Sequence, residues 1–268
     1  MLKDITLGQY FPGNSIAHRL DPRTKILLVT LYIIALFSAK GWTGYAVMAV
    51  TLAACVKVSH VGLRALVRGL KPLVFIIAFT GILNMFFTPD THYLWEWGIL
   101  RVSVKGIENA LFMVIRIMLL VMGTFLMTYT TSPIRLTDGL ESLLNPLKKI
   151  HVPVHELAMM MAIALRFIPT LIEETDKIMS AQKARGADFD SGNIFQKAKA
   201  LVPILVPLFI SAFRRADELA TAMECRCYHG GEGRTKLHVL KYQRRDYVAL
   251  AGGAAILALV VVLRRLGI

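Results

Sequence analysis

Residues Val104–Thr130 form the feature that most constrains this chain, an apolar run longer than the about 20 residues that cross a bilayer as a helix. Further apolar runs lie at 26–39, 43–58, 70–87 and 247–263. With 55% hydrophobic and only 18% charged residues among 268, the composition is that of a membrane protein and not of a soluble domain. The runs at 26–39 and 43–58 are short and are broken by Lys40, Gly41 and Trp42, so they read as two short spans joined by an outside turn. One long bent segment is the alternative.

The charges set an orientation. Arg19, Arg23 and Lys25 precede the first run, and His60, Arg64, Arg68 and Lys71 follow the second. The stretch 88–103 carries Asp90, Glu96, Tyr93, Trp95 and Trp97 with one basic residue, Arg101, as an outside loop with aromatic interface anchors does. By the positive-inside rule the N-terminus is expected in the cytoplasm. Residues 1–25 lack the apolar core of a signal peptide. Arg264 and Arg265 follow the last span and, counted from an inside N-terminus, run against the rule. The net charge of +13 is read as cytoplasmic loops facing anionic lipid, with no nucleic-acid partner, because no basic stretch is interleaved with aromatics for base stacking.

The expected fold is an all-α membrane protein with about five transmembrane helices and long amphipathic cytoplasmic helices. It divides into a cytoplasmic N-terminal segment (1–25), four transmembrane helices (26–131), a cytoplasmic module (132–245) and a last transmembrane helix (246–268). Inside the fourth span lie Glu108 and Arg116, eight residues apart and so roughly on one helix face. They either form an ion pair within the bundle or snorkel to the interfaces.

In the module, Ser132 and Pro133 open a short helix over 133–150. Two longer helical patterns follow, 155–186 and 195–228, each ending in an arginine among small residues. Leu157, Met161, Ala164, Ile168, Leu171, Thr175 and Ile178 make an apolar stripe on the first. Leu201, Val202, Leu205, Leu208, Phe209, Ala212, Phe213, Ala216, Leu219, Ala220 and Met223 make the second. Pro169, Pro203 and Pro207 are expected to kink these helices without ending them, since each stripe continues past its prolines. Superposing Arg185 on Arg226 aligns Asp176 with Asp217, Ile178 with Leu219, Ser180 with Thr221 and Ala181 with Ala222, which reads as a degenerate internal repeat. A single such end is explained as a helix stop, basic residues opposing the helix dipole before a left-handed glycine cap. Two ends are better explained as two similar docking elements.

No active site is legible. There is no nucleophile elbow, no paired carboxylates at a credible spacing and no cofactor pattern; the glycines of 230–233 lack the GxxxxGK[ST] spacing of an ATP-binding loop. Cys225, Cys227 and His229 lack a fourth metal ligand, and His151 and His155 have Pro153 between them, so both groups read as loop and capping residues. With Cys55 the three cysteines make no disulfide framework.

The pair Ala184-Arg185-Gly186 and Glu224-Cys225-Arg226-Cys227-Tyr228, the latter followed by Gly230-Gly231-Glu232-Gly233-Arg234-Thr235, resembles the two Ala-Arg-Gly motifs of the transmembrane T component of energy-coupling factor (ECF) ABC transporters. The run His18-Arg19-Leu20-Asp21-Pro22-Arg23-Thr24-Lys25 is similar to the same family. Cys225 and Cys227 depart from it, standing where the family has Ala and Gly. The resemblance implies a non-catalytic coupling subunit in the cell membrane of a bacterium or archaeon. In that role Ala184, Arg185, Gly186, Cys225, Arg226 and Cys227 dock two ABC-type ATPase subunits, and the apolar stripes hold a small substrate-binding membrane (S) subunit for uptake of vitamins or other micronutrients. A dedicated cobalt or nickel permease subunit is a variant of that reading. The residues alone leave open a membrane-embedded enzyme acting on lipid-like substrates, with Asn84, Glu108 and Arg116 as its polar site, and, less favoured, a channel or secondary transporter.

Overall fold

Pro22 at a helix N-terminus, with Asp21 before it, starts the first long helix. Asp21 is the N-cap, its carboxylate accepting from Arg23 N at 2.9 Å, and proline fits the first turn, where no backbone donor is needed. The structure, a computed structural model, describes residues 10–88, 93–97, 100–187, 189, 193–230 and 239–266. After a short turn α1 (Ile16–Arg19) come α2 (Pro22–Ser38), α3 (Gly41–Ser59), α4 (Leu63–Leu70) and α5 (Val74–Phe87). A hairpin of β1 (Tyr93–Trp97) and β2 (Leu100–Ser103) leads into α6 (Val104–Thr130), followed by α7 (Pro133–Leu144), α8 (Val154–Ala184), α9 (Ile194–Glu224) and α10 (Arg244–Leu266). The fold is all-α apart from this two-stranded hairpin. The described residues divide into two compact units, those within 10–142 and 240–266, and those within 143–239. The helix expected over 133–150 is interrupted: α7 ends at Leu144, two residues past the boundary between the units, and a 3-10 turn, Asn145–Ile150, follows in the second.

Among the described residues five helices are long and apolar enough to cross a membrane: Gly41–Ser59, Leu63–Phe87, Val104–Thr130, Val154–Ala184 and Arg244–Leu266. Four match expected spans. The first expected span, α2, is a separate helix of 17 residues, about 25 Å long and thus short for a span. The fifth apolar helix is instead α8, most of whose charges lie from Glu173 to its arginine end, with Glu156 and Arg166 before them.

In the transmembrane unit α6 packs against α2, α3, α4 and α5, and α10 against α2. The core centres on Leu36, Met48, Leu66, Leu119, Tyr129 and Val260. Helix surfaces meet most closely at glycines, as is general where lipid offers no hydrophobic drive for association. A Cβ on Gly123 would fall 2.5 Å from the Tyr32 ring, whose hydroxyl donates to Leu119 O at 3.0 Å. At Gly106 the added carbon would lie 2.7 Å from the backbone oxygen of Met85, which cannot turn aside. Gly106→Ala is accordingly expected to cost about 1–3 kcal/mol by overpacking, read as a lowered midpoint of thermal unfolding in detergent.

One end of this unit is closed by a polar latch, and the run His18–Lys25 supplies most of it. His18 Nε2 donates to Phe11 O at 3.0 Å while its Nδ1 accepts from the Ser15 hydroxyl at 2.6 Å. Lys25 Nζ, buried, donates to Thr130 O at 2.8 Å and Thr131 Oγ1 at 3.1 Å, tying α2 to the end of α6. Asp246, also buried, accepts from Asp21 N at 2.9 Å and from Gln243 N at 2.8 Å, tying α2 to the start of α10. Arg23 donates to Leu240 O at 2.7 Å and lies over the Tyr242 ring at 4.8 Å. Buried charges persist where hydrogen bonds satisfy them, and these polar groups fix the relative positions of three helix ends.

Candidate functional site

The second unit is built on α8 and α9, and both run through their internal prolines as expected, Pro169 in α8 and Pro203 and Pro207 in α9. Asn193 starts α9 with a capping box, its side chain and that of Gln196 each accepting from the other's backbone N–H. The two helices are antiparallel, because Glu174 meets Arg215 at 2.9 Å while Gln182 Nε2 reaches back to Pro203 O at 3.4 Å. Glu174 and Arg215 are 41 residues apart, as are Arg185 and Arg226, so equivalent positions of the repeat cross each other.

Each arginine then lies 11 residues beyond that crossing, in opposite directions along about 16 Å of helix. The two hydrogen bonds that close each end correspond. Gly186 N donates to Lys183 O at 3.0 Å and Ala187 N to Gln182 O at 3.0 Å; Cys227 N donates to Glu224 O at 2.8 Å and Tyr228 N to Met223 O at 3.1 Å. Both ends therefore close in the same C-terminal motif, with Gly186 (φ 87°) and Cys227 (φ 55°) in the left-handed conformation. Ser180 donates to Asp176 O at 2.7 Å and Thr221 to Asp217 O at 2.9 Å, so the aligned hydroxyls also do the same thing. Ala184, Arg185, Gly186, Cys225, Arg226 and Cys227 are all exposed. Two like, solvent-facing guanidinium groups at the C-terminal ends of two crossing helices can each form a charge-assisted contact with an acidic groove.

The model of the cobalt transport protein family CbiQ matches residues 13–237. The chain belongs to this family. Similar to it are three proteins called energy-coupling factor transporter transmembrane protein EcfT. That of Acidaminococcus fermentans is 56% identical, with 98% of this chain and 97% of the relative covered. The protein of Ruminiclostridium cellulolyticum is 54% identical, covering 92% of each chain. The Bacillus subtilis relative is 46% identical, covering 98% of this chain and all of its own length, 100%.

In this CbiQ-family chain the two cysteines of the second motif leave its geometry intact, since Cys227 takes the conformation that Gly186 takes in the first. A side chain in that conformation costs roughly 1–2 kcal/mol. Cys227→Gly is therefore expected to raise stability by about 0.5–1 kcal/mol after allowing for glycine's freer unfolded chain. Gly186→Cys should lower it by a similar amount, through backbone strain alone, because a Cβ at Gly186 would meet nothing within 4 Å. Urea unfolding of the purified protein in detergent measures both. Among the described residues no three His, Cys, Asp or Glu side chains are grouped to hold a metal ion. His151 caps the 3-10 turn before α8 in a left-handed conformation.

The polar residues of the third and fourth spans have a different fate. Asn84, Glu108 and Arg116 line one cavity of about 680 Å3 in the transmembrane unit. Arg116 bonds not to Glu108 but to the Tyr45 hydroxyl, from Nε at 2.9 Å and Nη2 at 2.5 Å. What the sequence did not disclose is the latch partner Asp246 and the crossing pair Glu174–Arg215; the 41-residue spacing of the latter was the available signal.

Proposed function

We propose that this chain couples ATP hydrolysis by two ABC-type ATPase subunits to a separate small substrate-binding membrane subunit, for uptake of vitamins or other micronutrients. The carrying observation is the pair of similarly closed, exposed arginine ends, Arg185 and Arg226, set on opposite sides of the crossing of two antiparallel helices. Each end docks one ATPase. Closure of the ATPases moves the ends relative to the crossing at Glu174 and Arg215, and the helices carry that motion to the membrane subunit. Leu201, Leu205, Phe209 and Phe213, part of the α9 stripe, are exposed and give that subunit an apolar seat. The chain itself is non-catalytic, its N-terminus is cytoplasmic, and the latch end of the bundle faces the cytoplasm. The relatives' shared name, energy-coupling factor transporter transmembrane protein, supports the reading.

The test is a detergent pull-down of the tagged full chain from its native membranes. Two P-loop ATPases and a small apolar subunit should co-purify, and Arg185→Glu with Arg226→Glu should release the ATPases while keeping the apolar subunit. A well-folded chain recovered alone from membranes that contain all four components would refute the proposal.

A further inference from the structure

The cavity of about 680 Å3 lies at the end of the transmembrane unit opposite the latch, where α2 ends, α6 begins and α10 ends. Lys105, Glu108, Asn109, Phe112, Met113 and Arg116 line it from α6. Their spacing of three and four residues puts them on one helix face, so the polar wall runs about 16 Å from Lys105 down to Arg116. Lys40, from the junction of α2 and α3, and Arg264, from the end of α10, face it from two other directions. Lys105 apart, three cationic side chains, Lys40, Arg116 and Arg264, thus face the cavity beside one carboxylate, Glu108, an excess of two positive charges among the described lining residues.

Such an excess inside a membrane unit calls for an anion. Arg116 is held ready to meet one, since Tyr45 fixes its guanidinium through two N–H groups, and the Phe37 and Tyr45 rings lie 5.7 Å from it. Asn84, Asn109 and Glu108 add partners for hydroxyl groups, while Ala39, Phe112 and Met113 offer apolar wall. We propose that this cavity binds the phosphate of an anionic glycerophospholipid headgroup, its hydroxyls on the amides and Glu108 and its acyl chains left in the bilayer. Basic side chains close to a bilayer surface attract anionic headgroups, each by about 1 kcal/mol, and the volume falls within the range of roughly 300–1,000 Å3 typical of small-molecule sites. The site also accounts for Arg264, whose charge the topology alone leaves unexplained.

Native mass spectrometry of the full-length protein, delipidated and then offered equal phosphatidylglycerol and phosphatidylcholine, tests this. The wild type should retain phosphatidylglycerol preferentially. Lys40→Gln with Arg264→Gln removes two exposed rim charges and leaves the core packing untouched; each lost charge should weaken retention about fivefold. Arg64→Gln with Arg68→Gln, two exposed charges on α4 away from the cavity, should change nothing. Equal retention of the two lipids overturns the proposal, as does a loss in the α4 variant equal to that in the rim variant. A repeat with inorganic phosphate separates the sources. Displacement of the lipid at low concentration assigns the same anion site to a soluble phosphate and overturns the headgroup assignment, and no displacement supports it.

Discussion

Replacing Arg185 and Arg226 together by glutamate should abolish transport while the protein still inserts and folds. Both side chains are exposed at the tips of their helices, so the substitutions leave the unit's own packing intact. Under the proposed docking each substitution removes one partner of a desolvated charge pair, a loss of about 2–5 kcal/mol. That is roughly a 30-fold or larger drop in docking at each end, and reversed charge adds repulsion. Because the two ends share one geometry, Arg185→Glu and Arg226→Glu taken singly should be similar in effect. Lysine at both positions keeps the charge but lacks the planar fork, so it should fall between wild type and the glutamate pair. Uptake in cells, measured alongside membrane abundance and the unfolding midpoint, decides the matter; normal uptake by the double variant would end the docking account.

Asp246→Ala is expected to be the most damaging substitution to the fold. Its buried carboxylate accepts from the backbone N–H of Asp21 and of Gln243, and removal leaves both donors unsatisfied. The orphaned buried donor of Asp21 costs about 1–3 kcal/mol, and the part-buried one of Gln243, which water can reach, about 0.5–1.5 kcal/mol. Lys25, held on Thr130 and Thr131 nearby, would also lose the attraction of that negative charge. Asp246→Asn keeps one acceptor and should retain part of the stability. Limited proteolysis and thermal unfolding in detergent read the effect; Asp246→Ala unfolding at the wild-type temperature would show that the latch does not hold α2 to α10.

Much of the architecture was legible because its signals are local. The run Val104–Thr130 forms a helix with those bounds, since a long apolar stretch in lipid has no other way to satisfy its backbone. The turn at Lys40 separates α2 from α3 because the apolar pattern stops there. Less legible was the extent of α8, where an apolar first part and a charged last part belong to one helix and composition pulls in two directions. The aromatic stretch 88–103 contains a hairpin where its sequence suggests only a loop, and its cross-strand pairing is a long-range choice that neither strand encodes alone. Expectations about residues 1–9 and about the glycine loop lie wholly or largely outside the described residues.

The sequence by itself determined the helices, their membrane character and the repeat, because periodicity and apolar length act within one segment. It also marked both arginine ends. Only the tertiary structure decided what the singled-out polar residues are for. The run His18–Lys25 became a latch because the carboxylate of Asp246 arrives from 225 residues away, and no local rule names that partner. Glu108 and Arg116 became walls of one cavity because α2 and α10 bring Lys40 and Arg264 to the same end of α6. Cys227 kept the conformation of a glycine because the helix end imposed it on whatever residue stands there, at the cost of some strain.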